Sequence, residues 1–228
     1  MSVQRRKPAT GGPERRIVVF VDIRGFTRLS ARAEHQAVLP GFLHAFYADL
    51  DARVGVHALD AYGRHHLKPL GDGAMLLLAG AQRPTQMLER LLAYVLDVEA
   101  RFQQRLRRTN REHRLHLAAA LGWGLSRGVV APVTGSLPSQ APGAGTPAQR
   151  RRRVLDHFGA CINLAKRLCD KARPSGVCID QAAFPALPDH PAFPFRRRTL
   201  KGLKGIAETF PVWFCRVAAV PPRSGAAP

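Results

Sequence analysis

With 228 residues, 46% of them hydrophobic, the chain is long enough to bury one full core and has the composition of a soluble globular protein. No apolar run approaches the roughly 18 residues of a membrane-spanning helix, and the basic N-terminus runs on into further charge instead of a signal-peptide apolar segment, so a cytoplasmic protein is expected. Its 35 Lys and Arg against 16 Asp and Glu give a formal net charge of +19, a field that draws polyanions such as nucleic acid, an anionic membrane surface or a nucleoside triphosphate.

Residues 1–14 are polar and basic, with Pro and Gly, and read as a disordered tail ahead of one domain over 15–218. The β-branched run 17–23 predicts a buried strand. A short turn of helix is expected after Phe26, then a long helix over about 36–62, with Pro40 and Gly41 tolerable near its start. Residues 66–70 and 74–78 predict two strands around Gly71-Asp72-Gly73, a hairpin with the aspartate at its tip. Pro84 opens a helix to about 108, and 115–122 predict another strand. The stretch 132–149, mainly Pro, Gly, Ala, Ser and Thr, reads as a flexible loop of unusual length, followed by four arginines at 150–153. A helix over about 158–172 is closed by Pro174 and Gly176. Short strands near 177–179, 195–200 and 210–217 complete the domain, and 219–228 form a tail. The order is β-α-β-β-α-β with a C-terminal extension. It predicts an α+β fold, ferredoxin-like in its core, with helices packed on one mainly antiparallel sheet.

The residues that carry chemistry are few. Cys161, Cys169, Cys178 and Cys215 lack metal-site spacing and read as free buried thiols. Asp22, in Phe20-Val21-Asp22-Ile23-Arg24-Gly25-Phe26-Thr27, and Asp72, in Lys68-Pro69-Leu70-Gly71-Asp72-Gly73, each follow an apolar run and lie beside or near glycine. Strand ends of this kind deliver hard oxygen ligands where a phosphate must approach the backbone. Two such carboxylates suit a pair of divalent ions, about 3.5–4 Å apart in two-metal sites. On the helix from 158, Phe158, Cys161, Ile162, Ala165, Leu168 and Cys169 define an apolar stripe. Asn163 and Arg167, four apart, project together away from it, where an amide and a guanidinium could stabilise charge developing on a phosphate.

Taken together these motifs resemble the class III nucleotidyl cyclases, over about residues 16–217. Asp22 and Asp72 resemble the two metal ligands of that family, with Ile23 joining Asp22 at the metals and Phe26 and Thr27 at the triphosphate. Lys68 and Asp156 match the residues that read the base in adenylate-forming members. Asp156-His157-Phe158-Gly159, then Ile162-Asn163-Leu164-Ala165 and Arg167-Leu168, resembles the transition-state segment, with Asn163 and Arg167 as its catalytic pair. Leu200-Lys201-Gly202-Leu203-Lys204-Gly205 looks like the segment whose lysine meets the triphosphate, and Lys201 and Lys204 both fit. The resemblance implies two magnesium or manganese ions, and a head-to-tail homodimer with composite sites, because one chain carries residues that the family draws from opposite subunits. The loop 132–149 lengthens the segment before Asp156 relative to the family.

Lys68 donates hydrogen bonds and ionised Asp156 accepts them, which matches the amine-bearing edges of adenine and cytosine and mismatches guanine and uracil. With no sensor or anchor evident, the chain also resembles the freestanding pyrimidine cyclases of Pycsar anti-phage systems, which make cyclic CMP or cyclic UMP for a separate effector protein. The preference falls narrowly on a pyrimidine cyclase in antiviral defence, with an adenylate cyclase making cyclic AMP as the alternative. Phe46 and Tyr47 read as core residues, with pocket bulk as their other role. A third reading is a basic, non-catalytic nucleic-acid-binding domain. Asp22 and Asp72 argue against it, since carboxylates repel phosphates unless metal is present.

Overall fold

The apolar run at the start of the domain becomes β1 (Glu14–Arg24), a central strand flanked by β3 (Gly73–Ala79) and β4 (Ala120–Gly135), both antiparallel to it. The computed structural model describes residues 12–60, 65–79, 84–135, 153–188, 190–203, 205 and 208–217. Within them the chain continues from β1 through α1 (Phe26–Ser30), α2 (Ala33–Gln36), α3 (Leu39–Val56) and β2 (His66–Pro69) to β3, then α4 (Pro84–His113) and β4. After β4 come β5 (Arg153–Phe158), α5 (Ala160–Lys171), β6 (Gly176–Asp180), β7 (Arg196–Lys201) and β8 (Thr209–Cys215). The sheet order is β2-β3-β1-β4-β6-β8-β7. Only the β4–β6 pairing is parallel among the described residues, as a crossover through α5 requires. The expected α+β layout and the βαββαβ core are both present.

Burial explains why β1 reads as a continuous apolar run and not as an alternating one. Ile17, Val19, Val21 and Ile23 join the core formed with α3 and α4, while Val18 and Phe20 pack on the opposite face with Cys161, Ala165 and Cys169 of α5. Helices therefore cover both faces. On the α3–α4 side, Phe42 and Phe46 each set an edge-on contact of 5.6 Å with Phe102. Tyr94 donates its hydroxyl to the Leu50 carbonyl at 3.0 Å, so a buried polar group is satisfied across the helix pair. On the other face, α5 lies directly on β4 at Gly124. A Cβ there would stand 2.1 Å from the Ala165 carbonyl oxygen and 2.2 Å from the Cys169 nitrogen.

Several boundaries differ from expectation. The helix expected over 36–62 ends at Val56, and the chain leaves it through Ala58 at φ +48°. The strand expected over 115–122 begins at Ala120 and runs to Gly135, so 132–135, read as loop, are strand instead. The other loop residues, 136–149, lie outside the described residues, as do 1–11, 150–152, Lys204 and 218–228. β5 was not anticipated: its apolar residues are too few for a periodic signal, and it exists because the outer half of β4 offers it a partner. Phe158 consequently closes β5 opposite Ala131 and is 70% exposed, outside the stripe of α5 in which the sequence placed it. All four cysteines are free and buried. No helix among the described residues is long and apolar enough to cross a membrane.

Candidate active site

Two clusters form where the motifs fall, and each joins segments distant in sequence. In the first, Asp22 sits near the end of β1, opposite Gly73, and Asp72 occupies the β2–β3 turn beside it. The Ile23 amide donates to the Asp72 carbonyl at 3.0 Å, which pins the turn against the strand end. The Ile23 side chain is buried in the core, so it can offer a metal only its backbone oxygen. Burial raises the Asp22 carboxyl above its ordinary range, and Asp72 and Asp170 push the same way, against Arg24 and Lys166. The Tyr47 hydroxyl donates to the Gly71 carbonyl from α3 and steadies the turn that carries Asp72. Tyr47 thus has a more specific role than core filling, whereas Phe46, 2% exposed, belongs to the α3–α4 interface.

Arg24 was missed by sequence reasoning. Its Nη1 donates to Asp22 Oδ2 at 2.9 Å, and its Nη2 donates to the Cys169 carbonyl of α5. The guanidinium lies where a side chain on Gly122 would stand: a Cβ at that position would be 1.9 Å from Nη2. The signal was available, because residues two apart on a strand share a face. Arg24 therefore links the metal-ligand candidate to the helix that carries Asn163 and Arg167.

The second cluster is built from β2 and β5. Lys68 Nζ donates to Asp156 Oδ1 at 2.8 Å, and the same oxygen accepts the His157 amide at 2.8 Å. Those two bonds, Lys68 first, hold the Asp156 carboxyl below its ordinary range and keep it an acceptor. Among the described residues both contacts fall on that one oxygen, which leaves the second to a ligand. Lys68, opposite Met75, and Asp22, opposite Gly73, lie on the α5 side of the sheet with Phe20, since alternate residues share a face.

The remaining candidates flank these clusters. Asn163 and Arg167 are exposed on α5, while Lys166 and Asp170, ion-paired at 3.1 Å, occupy the flank that acts on Asp22. Phe26 is half-buried against the core at the start of α1, and Thr27 next to it is exposed. Lys201 ends β7 opposite Thr209 and is exposed. The structure thus brings Lys68 to Asp156 and Asp22 to Asp72, and leaves Asn163 and Arg167 facing solvent.

No protein-family model matches the chain, and no curated protein matches it. Solved structures do. The guanylyl cyclase Cya2 superposes with a TM-score of 0.66 at 18% identity, covering 94% of this chain and 98% of that one. The fold is that of the class III nucleotidyl cyclases. The adenylyl cyclase CyaB from P. aeruginosa gives 0.66 at 17% identity, covering 89% and 94%. The guanylate cyclase domain of RhGC from Catenaria anguillulae, solved with GTP, gives 0.61 at 16% identity, covering 90% and 97%. This cyclase fold sets the frame in which the two clusters lie.

Proposed function

We propose that this chain is a nucleotidyl cyclase, converting a nucleoside triphosphate into a 3′,5′-cyclic nucleotide and pyrophosphate. The observation that carries the reading is the contact of Lys68 with Asp156, 88 residues apart, on the same fold that sets Asp22 against Asp72. A basic, non-catalytic nucleic-acid domain has no use for that arrangement.

The residues at Asp22 fit divalent ions. Two carboxylates, close enough that Asp72 acts on Asp22, and the neighbouring Ile23 carbonyl are all hard oxygen donors. So sparse a donor set suits magnesium or manganese, which share their coordination with water and substrate phosphates. Ions held there by Asp22, Asp72 and Ile23 would acidify the ribose 3′-hydroxyl and neutralise phosphate charge. That hydroxyl attacks the α-phosphorus in line, and pyrophosphate leaves. Arg167 and one lysine, 201 or 204, balance the charge on the phosphates, Asn163 orients the ribose, and Phe26 and Thr27 border the triphosphate. Removing such a charge-stabilising donor costs about 10²–10³ in rate.

Asn163 and Arg167 point away from the sheet, so they serve the carboxylates of a second copy better than their own. The β4–β5 ribbon exposes Val129, Val133, Val154 and Phe158 and supplies an apolar surface for such a dimer. The composite site is tested by complementation. Asp22→Ala and Arg167→Ala should each be inactive, and their mixture should recover partial activity through heterodimers. No recovery, with subunit exchange demonstrated, would count against the shared site.

Lys68 and the open oxygen of Asp156 suit a ring nitrogen beside an exocyclic amine, the edge of cytosine and adenine alike. The proposal leans to CTP, with the product a messenger in antiviral defence read by a separate effector protein; this step rests on the resemblance of the sequence. ATP, giving cyclic AMP, is the second reading.

A further inference from the structure

We propose that the His66–His157 ring pair is the positioning device that closes β5 onto β2 and thereby sets the base-reading pair Lys68–Asp156. The inference rests on that reading of Lys68 and Asp156, and it concerns what holds Asp156 in place.

The β4–β5 ladder is weakest where it matters most. Asp156 stands opposite Val133 and His157 opposite Pro132, and the register shifts between Val133 and Thr134. Proline has no N–H to donate, and a bulge loosens the pairing next to it. The Lys68–Asp156 ion pair is itself partly exposed, 36% and 48% at its two side chains, and solvent weakens such a pair as a holder. A second contact spans the same strands. The His66 ring on β2 packs on the His157 ring on β5 at a centroid distance of 4.7 Å. His157 in turn donates its backbone N–H to the Asp156 carboxylate, so whatever fixes residue 157 aims that carboxylate.

The pair must be neutral to work. Among the described residues His157 Nδ1 is buried without a partner, and a charged ring would place an unanswered N–H there. Facing the rings are Lys68, His65 and Asp156, with Arg16 from β1. Burial lowers both imidazoles below their ordinary value, followed by Lys68 for His66 and by His66 for His157. On the acid side the rings charge, repel and release Asp156.

The test uses the full chain with His157→Ala, which deletes the contact, and His157→Phe, which keeps a ring that cannot titrate. Imidazole titrations by NMR are read beside KM and kcat for all four nucleoside triphosphates. In the wild type, KM for the preferred nucleotide should rise toward acid pH with kcat changing less. His157→Phe should flatten that rise. His157→Ala should raise KM roughly 2- to 10-fold, the worth of one ring contact, and weaken the preference for amine-bearing bases. The His66 titration should move up toward the ordinary value in His157→Ala, where the covering ring is gone, and stay low in His157→Phe, where a ring still buries it. Unaltered KM and base preference in His157→Ala, or a wild-type acid profile in His157→Phe, overturns the proposal. If the wild type turns over no nucleotide, the cyclase reading fails by itself, and an unmoved His66 titration in His157→Ala would separately overturn the ring clamp.

Discussion

Glu99 of α4 lies in the core with its Oε1 accepting the indole N–H of Trp123 at 2.9 Å, on β4, the strand next to β1. Burial pushes its carboxyl up from the ordinary 4.5 to about 7, against the opposing effect of that hydrogen bond. A carboxyl whose folded value is raised contributes stability that is complete below about 4.5 and lost as pH climbs through about 7. Each pH unit of that interval is worth about 1.4 kcal/mol, so the loss totals about 3 kcal/mol. Glu99→Gln retains an oxygen for Trp123 and cannot ionise. The variant and the wild type should therefore have similar stability at pH 4.5, and the variant should be more stable by about 3 kcal/mol at pH 8, or by roughly 6–12 °C in Tm. Urea denaturation followed by tryptophan fluorescence at both pH values measures the difference, in which all other titrations cancel. A difference that does not change with pH, or a variant less stable at pH 8, would refute a neutral buried Glu99.

Three further outcomes follow from contacts around the carboxylates. Gly124→Ala must push α5 off β4, because the atoms in its way are helix backbone, and should cost about 3 kcal/mol or more by denaturant titration. At Gly122→Ala the three atoms nearest the new Cβ all belong to the far end of the Arg24 side chain. It should fold normally while freeing Asp22 from its ion pair, seen as a several-fold change in the magnesium concentration that half-saturates turnover. Tyr47→Phe removes the hydroxyl that steadies the Asp72 turn and should cost about 1 kcal/mol of stability, with a weakened response to metal in the same titration.

Much of this was legible in the sequence, and the failures have physical causes. The apolar run before Asp22 and the Gly-Asp-Gly turn announced β1 and the β2–β3 hairpin, since both signals are local. β5 was invisible because it depends on β4, and a strand of six residues with a bulged partner leaves no periodicity of its own. Placing Phe158 in the α5 stripe followed from helical spacing carried two residues too far. The expectation that Lys68 and Asp156 act together came from resemblance, since no local pattern brings residues 68 and 156 to 2.8 Å. Arg24 was within reach: it lies in the same motif as Asp22 and on the same strand face. Glu99 was not, because an acidic residue in an amphipathic helix normally marks the solvent side.

The most direct test of the account is incubation of the purified full chain with ATP, CTP, GTP and UTP separately, with magnesium or manganese, and mass spectrometry of the products. The account predicts a 3′,5′-cyclic nucleotide and pyrophosphate, formed from CTP or ATP well ahead of GTP and UTP and lost in Asp22→Ala. No cyclic product from any of the four, with nucleic acid retained at low salt as well by Asp22→Ala as by the wild type, would contradict it and turn attention to the basic surface.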